Sequence, residues 1–567
     1  MQSVGTTTWW LGKERFRLAL LIAVALSAFV TGINWGLPQA TNPETVQPWA
    51  LDTIAPIAPL NEAYYRFTRS GNEYVVYPLL HYVVLSAAYL PYMAVAYLSG
   101  DLSDPSSTFP YGIRDVARFC QDLTLLARLV SLLMALGIVL IIYVVTRDLA
   151  GQRAAFWSAL CCSLIAPLSY YAKTSNLDVP YSFWVCLAIW RYVRILDAQR
   201  IRDYVLLGMF AALAVATKDQ AYGFFLLTPF VLAYSRARRE TAGRISTMVY
   251  VRAFVSPPML FAGVTAIVVY AAANNVFMGG FDGLLRHFAR GGNVFDYRQE
   301  TDVAFYSLAE QARLLGRTAV LLAQMLGPLT LALSCAGILM AWRQRNLVLL
   351  SLLVFSVSYY LFVIVVFDIV FSRYLLVSTA LLAPFFGVAV TQLLEPCRRW
   401  RPVMAAIITI ALLSQAALVL NLNLTLVADS RYAMANWIRS NVAPGAVIEA
   451  QVRQRMLPYI STDYEVRVAG NSGDAITMQA IESELTETAL VTRNPDYILI
   501  LQGLGVTGDP TGWDTPGLRA YYRGLSDGSF GYKQVARFDT PHFLPFRQIP
   551  GTRPTSILLA RSRGPDE

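Results

Sequence analysis

Charge is in short supply in this chain. Only 15% of its 567 residues are Asp, Glu, Lys or Arg, against 56% hydrophobic residues, and the mean hydropathy is +0.46. No water-soluble globule of this length needs so much apolar surface, and the apolar residues come in long blocks rather than at amphipathic spacing. A soluble enzyme is excluded, and a polytopic helical membrane protein is implied. The six cysteines form no CxxC pair and no zinc-type cluster. Cys161, Cys162, Cys186 and Cys335 fall inside apolar runs, where a thiol packs as a small hydrophobe. Cys120 and Cys397 fall in loops assigned to opposite faces, which argues against a disulfide. Internal repeats and low-complexity tracts are missing too. The first apolar run, 18–36, lacks a small-residue cleavage site and reads as a retained helix, not a signal peptide.

What is present is a basic balance, net +9. The basic residues sit mostly in short loops between apolar blocks, as the positive-inside rule requires, so nucleic acid is a poor partner. Lys13, Arg15 and Arg17 hold the N-terminus in the cytoplasm. Later basic turns, at 146–153, 194–202, 236–244, 343–345 and 398–401, mark successive returns to that side. Helices are expected over 123–146, 154–172, 179–193, 204–217, 221–234, 254–274, 315–340, 347–367, 374–394 and 403–421. If Tyr77–Gly100 also crossed, every later basic turn would face outward. It is therefore read as lying along or dipping into the outer leaflet, which leaves about eleven crossings.

Residues 1–424 form the membrane part, with an outer-face loop at 37–122. From 425 to 567 leucine blocks disappear and turn residues rise. Asp429–Asn441 reads as a helix with Tyr432, Ala435, Trp437 and Ile438 on its apolar side, closed by Pro444-Gly445. Ala446–Ala450, Tyr497–Leu501 and Ser556–Leu559 read as strands. An extracytoplasmic α/β domain of roughly 140 residues follows.

The expected topology brings four polar stretches to the outer face. The first loop, 41–52, is punctuated by proline and carries Glu44 and Asp52. Asp178 precedes Pro180 at the start of a helix, where helix capping would also explain it. Lys218 and Asp219 interrupt two apolar runs, an arrangement that favours a cavity, although a snorkelling lysine is the bland alternative. An ammonium at that depth needs a counter-charge, which a lipid phosphate could supply. Arg373 and Tyr374 open a late helix, and Arg286, His287, Arg290 and Arg298 populate the outer loop 275–312. Cations on the face opposite the positive-inside bias point to an anionic ligand at the outer membrane surface.

Four stretches in order carry a resemblance: Asn42-Pro43-Glu44, Tyr77-Pro-x-Leu-His81-Tyr82, Ala172-Lys-x-x-x-x-Asp178-x-Pro180 and Ala216-Thr217-Lys218. With Arg373-Tyr374, the chain resembles the GT-C superfamily of polyprenyl-phosphate-sugar glycosyltransferases, nearest the protein O-mannosyltransferase and aminoarabinose-transferase branch. One departure is that the family's first loop usually holds an Asp-Glu pair, whereas here Glu44 follows Pro43. Whether Glu44 or Asp52 is the base stays open. The resemblance implies that a lysine like Lys218 contacts the lipid phosphate and that an aspartate like Asp178 lies beside the catalytic acid.

On this reading Glu44, Asp52 and Asp178 are the catalytic candidates. Lys218, Arg373, Arg290 and Tyr374 hold the donor phosphate, and Tyr77, His81 and His287 contact substrate. The expected activity is a hexosyl or pentosyl transfer to a glycan, lipid or protein hydroxyl in the cell envelope, on the extracytoplasmic side of the cell membrane. No cofactor is required, although a divalent cation held by Glu44 and Asp178 is possible. The competing class is a secondary transporter or flippase for an anionic lipid or sugar. Against it stand charges at one face rather than the midplane, no inverted repeat and a large terminal domain.

Overall fold

The structure, a computed structural model, describes residues 4–68, 78–106, 108–241, 246–274, 307–394, 400–460, 462–470, 478–503, 515–546, 549 and 551–562. Two compact units share the chain. One takes Met1–Ile33, Ile57–Leu90 and Leu126–Leu420. The other takes Asn34–Pro56, Pro91–Leu125 and Asn421–Glu567. Parts of the first loop thus pack with the C-terminal residues in one unit.

The first unit is helical. Its helices, some of which continue into the second unit, are α1 (Val4–Val30), α2 (Ala58–Thr68), α3 (Leu80–Ser99), α4 (Val116–Ser163), α5 (Ala166–Tyr171), α6 (Asp178–Ala198), α7 (Ile201–Val215), α8 (Thr228–Glu240), α9 (Thr247–Phe254) and α10 (Pro257–Ala273). They are followed by Leu308–Leu326, Pro328–Arg343, Leu353–Tyr359, Leu376–Leu394 and Arg401–Val427. The expected basic turn at 146–153 is a break inside α4, at Gly151 with φ 84°. That left-handed conformation is open to glycine at little cost and strains residues with a Cβ. The helix α6 ends where Gln199 takes a left-handed conformation, and Arg191 pairs with Asp203 across the turn into α7 at 3.2 Å.

The helix expected over 315–340 is instead a pair bent by 109°. Gly327 has φ 83° and is followed by Pro328, which has no N–H to continue the first helix. Close approaches fix other crossings. A Cβ on Gly208 would lie 2.1 Å from the Ala262 carbonyl oxygen, and one on Gly337 would lie 1.9 Å from that of Phe385. Small residues at such contacts are how helices pack without a hydrophobic driving force between them.

Among the described residues, six helices are long and apolar enough to cross a membrane, or seven if the bent pair is one span. They include α3, the segment expected to lie in the leaflet. The helices α7 and α8, with 15 and 13 residues, are only about 22 and 20 Å long, short of a hydrocarbon core of about 30 Å. The helix α6 is longer but carries Asp178, Arg191, Arg194 and Asp197.

The second unit holds a five-stranded sheet of order β2-β1-β3-β5-β4. Its strands are β1 (Val447–Ala450), β2 (Glu465–Val468), β3 (Tyr497–Gln502), β4 (Tyr532–Asp539) and β5 (Thr555–Arg561). β1 pairs in parallel with β2 and β3, and β5 lies antiparallel between β3 and β4. Ile498, Ile500, Ile557 and Leu559 form one core face with Leu485, Leu518 and Leu525. The expected helix at 429–441 and three of the five strands are present. The other two, β2 and β4, are the sheet's edges, where half or more of the residues stay out of the core and the apolar run that signals a strand is missing.

Candidate functional site

In the first unit, α5 ends at Tyr171 and the chain turns through Lys173–Asn176 before α6 begins at Asp178. Leu177 is the N-cap, so the Asp178 side chain is not spent on capping. Asn176 shapes the turn: its Oδ1 accepts from the Asp178 amide at 3.3 Å, and its Nδ2 donates to Asp178 Oδ2 at 3.0 Å. The other carboxylate oxygen accepts from Lys218 Nζ at 2.7 Å. Both side chains are nearly sealed, at 2% exposure for Asp178 and 9% for Lys218. The counter-charge that the ammonium needs is therefore Asp178 and not only an incoming phosphate. The carboxylate also lies in the first turn of α6, where the helix dipole favours a negative charge.

Aromatic rings close over the pair. Lys218 Nζ is 5.5 Å from the ring centre of Tyr181 and 5.6 Å from that of Tyr374. Tyr181 donates its hydroxyl to the Arg373 carbonyl at 3.3 Å, and the Arg373 guanidinium lies 5.4 Å from the Tyr374 ring. Phe224 stacks on Tyr359 with centroids 4.1 Å apart, forming an apolar floor next to Tyr181. Three expected donor-phosphate residues, Lys218, Arg373 and Tyr374, are thus brought together with Asp178. The Leu80 amide donates to the Ala216 carbonyl at 3.1 Å, which ties the start of α3 to the Ala216–Lys218 stretch. His81, one position on, is buried, and neither ring nitrogen has a partner among the described residues. Tyr77, His287 and Arg290 lie outside the described residues.

Lys173 belongs to the 172–180 stretch of the resemblance but had no role assigned from the sequence. Its buried ammonium donates to the carbonyls of Ala28 and Thr31, both at 2.8 Å, and to Ser169 Oγ at 3.2 Å. Those carbonyls lie at and just past the end of α1, where the helix dipole is negative, so the lysine anchors that end.

In the second unit, Pro43–Val46 forms a single 3-10 turn. Asn42 Oδ1 accepts from the amides of Glu44 at 3.0 Å and Thr45 at 3.1 Å, while Thr45 Oγ1 accepts from the Asn42 amide at 3.1 Å. This reciprocal cap fixes the backbone under Glu44. The Glu44 carboxylate is exposed and has no hydrogen bond or ion pair among the described residues. Asp52 is also exposed, on left-handed backbone with φ 55°. Burial and the neighbouring Arg453 pull the Arg455 guanidinium below its ordinary pKa, while the charge of Asp52 works the other way.

Behind this loop lies a buried clasp. Arg431 is fully enclosed and forks onto Asp429, with Nε to Oδ1 at 2.9 Å and Nη2 to Oδ2 at 2.7 Å. Trp49 stacks on the guanidinium at 3.7 Å, and Trp35 Nε1 donates to Asp429 Oδ2 at 3.0 Å. Tyr459 stacks on Trp49, with ring centroids 4.9 Å apart. Every charge in the clasp is paired, which marks it as structural. Among the described residues, no three His, Cys, Asp or Glu side chains gather as a metal site. Asp178, already neutralised by Lys218, is a weakened metal ligand.

Residues 108–261 match the family model of the dolichyl-phosphate-mannose-protein mannosyltransferases. The resemblance read from the sequence therefore holds over a stretch that contains both Asp178 and Lys218. No curated protein matches the chain. Among solved structures, the chain is similar to the oligosaccharyltransferase of Archaeoglobus fulgidus in complex with zinc and sulfate, at 12% identity and TM-score 0.44, covering 85% of this chain and 67% of that one. It is similar to ArnT from Cupriavidus metallidurans in the apo state, at 14% identity and TM-score 0.42, over 98% of both chains. The arabinofuranosyltransferase AftD from Mycobacteria gives 13% identity and TM-score 0.42, over 97% of this chain and 40% of that one.

Proposed function

We propose that this chain, whose residues 108–261 match the dolichyl-phosphate-mannose-protein mannosyltransferases, is a membrane glycosyltransferase that moves a sugar from a polyprenyl phosphate to an acceptor hydroxyl on the extracytoplasmic face. The observation that carries the reading is the sealed Lys218–Asp178 pair beside Arg373 and Tyr374. In the reaction the bond between the anomeric carbon and the phosphate oxygen breaks, and the acceptor oxygen takes that carbon. The acceptor proton passes to a carboxylate. The leaving phosphate goes from one negative charge toward two, so cations fixed at that oxygen bind the transition state more tightly than the ground state. Lys218 and Arg373 take that role in this reading, with Asp178 holding Lys218 in place until the phosphate shares it.

The base is assigned to Glu44, with Asp52 as the alternative. Glu44→Gln keeps the shape and removes the proton acceptor. Turnover should fall by about 10²-fold with donor affinity retained. Purified protein incubated with a panel of radiolabelled polyprenyl-phosphate sugars checks both the reaction and the base. Normal turnover by Glu44→Gln with none by Asp52→Asn moves the role to Asp52. Acceptor class, a glycan, lipid or protein, follows from which acceptor captures the label.

The orientation assigned here keeps 37–122 outside and α3 within the outer leaflet. Cysteine introduced at Pro105 in a single-cysteine background should react with an impermeant maleimide from outside intact cells. Protection there, with labelling only after permeabilisation, makes α3 a crossing and overturns the assignment. A transporter remains the second reading, since the 109° bend at Gly327 is the kind of broken span transporters use. Ligand uptake into liposomes without sugar transfer would select it.

A further inference from the structure

The second unit carries an open cleft of about 680 Å³ that the proposed reaction does not use. Segment 34–39, Gln121 of α4, two positions of the helix Ser430–Asn441 and the loop 459–460 line it. Its size falls in the range of small-molecule sites. We infer that it binds an acidic saccharide, one or two sugar units carrying a carboxylate, as a subsite for glycan outside the reacting centre.

The lining is oriented by its own hydrogen bonds. Gln39 spends its Nε2 on the carbonyls of Leu457 and Pro458, both at 3.1 Å, and Gln121 spends its Nε2 on that of Pro38 at 3.0 Å. Each amide keeps its carbonyl oxygen as an acceptor held at a fixed place. Tyr432 Oη accepts from the Gly36 amide at 2.9 Å and is also hydrogen-bonded to the Tyr459 side chain, so both rings are held in place. Tyr459 donates to the Leu37 carbonyl at 3.1 Å, so its ring is held at the wall. Fixed acceptors and aromatic faces suit a ligand that is densely hydroxylated on its edge and apolar on its C–H face, as sugars are.

Charge decides the kind of sugar. Arg439, two helical turns on from Tyr432 along the same face, is exposed, and its hydrogen bond among the described residues is to Asn436 Oδ1, at 3.5 Å. Among the described residues no carboxylate pairs with it. A guanidinium at the mouth of a neutral polar cleft favours a carboxylate, which it can take with two parallel hydrogen bonds. The role as a glycan subsite rests on the transferase reading, but binding does not.

The test is titration calorimetry on the full-length purified protein with cellobiouronic acid, cellobiose and a tetraglutamate peptide. Cellobiouronic acid should bind saturably and more tightly than cellobiose. Arg439→Gln, at an exposed position, should weaken the acid about tenfold, the loss expected for one charge-assisted contact, and leave cellobiose unchanged. Gln121→Ala should weaken both disaccharides. Lack of saturable binding by the acid, equal affinity for the two disaccharides, indifference to Arg439→Gln, or preference for the peptide each overturns the inference. Because no turnover is read, sugar transfer without this binding would sink only the subsite, and binding without transfer would sink only the reaction.

Discussion

Lys218→Ala should lower turnover by about 10²-fold to 10³-fold, the usual loss when one fixed charge is removed from a developing oxyanion. It should also destabilise the protein, because Asp178 at 2% exposure is left with a buried charge and no cation. Removing one partner of a buried pair typically costs about 3–5 kcal/mol. The two effects separate in the double variant Lys218→Ala/Asp178→Asn. With both charges gone, the melting temperature should return most of the way to that of the parent, whereas turnover should stay low. Lys218→Arg should recover part of the turnover, since the charge returns on a planar fork. Recovery of full turnover by the double variant would reduce Lys218 to the counter-ion of Asp178. Donor titration on the same variants tells whether affinity falls with rate.

Arg431→Ala should produce the largest loss of folded protein. The side chain is at 0% exposure and satisfies both oxygens of an equally buried Asp429, while its flat face carries Trp49. Truncation leaves an unpaired carboxylate and a void under an indole, and a destabilisation of about 3–5 kcal/mol follows from the charge alone. Arg431→Lys should rescue little, because an ammonium can neither fork onto Asp429 nor stack on Trp49. Thermal unfolding in detergent, followed by tryptophan fluorescence, reports this directly because Trp35 and Trp49 lie in the clasp. An unchanged melting temperature would mean that the clasp contributes nothing net to the folded state.

The fold class was legible because it is written in composition and in long apolar blocks, which any helix in lipid must have. Single residues were legible where a charge interrupts such a block: Asp178 and Lys218 stand out for that reason alone. Their direct pairing was not, since they are 40 positions apart and each could be explained locally, one as a cap and the other as a snorkelling amine. The clasp was invisible for a stronger form of the same reason. Trp35 donates to a carboxylate 394 positions away, and nothing in the local sequence of Arg431 distinguishes a buried arginine from a surface one. The bend at Gly327 could have been read from Gly327-Pro328, a pair that stops one helix and starts another. The edge strands β2 and β4 were hidden because an edge is protected by the polar residues that erase its pattern.

The division of the chain has a practical side. The second unit draws on Asn34–Pro56 and Pro91–Leu125 as well as on Asn421–Glu567, and the joins at 90–91, 125–126 and 420–421 fall inside continuous helices. Trp35 and Trp49, which enclose Asp429 and Arg431, come from the first of these segments. A recombinant fragment starting at Asn421 would therefore carry the sheet but lack two walls of its own interior, with the guanidinium and carboxylate opened to water. The C-terminal residues are not a detachable module. The unit cannot close until its last segment, Asn421–Glu567, has been made, long after Asn34–Pro56.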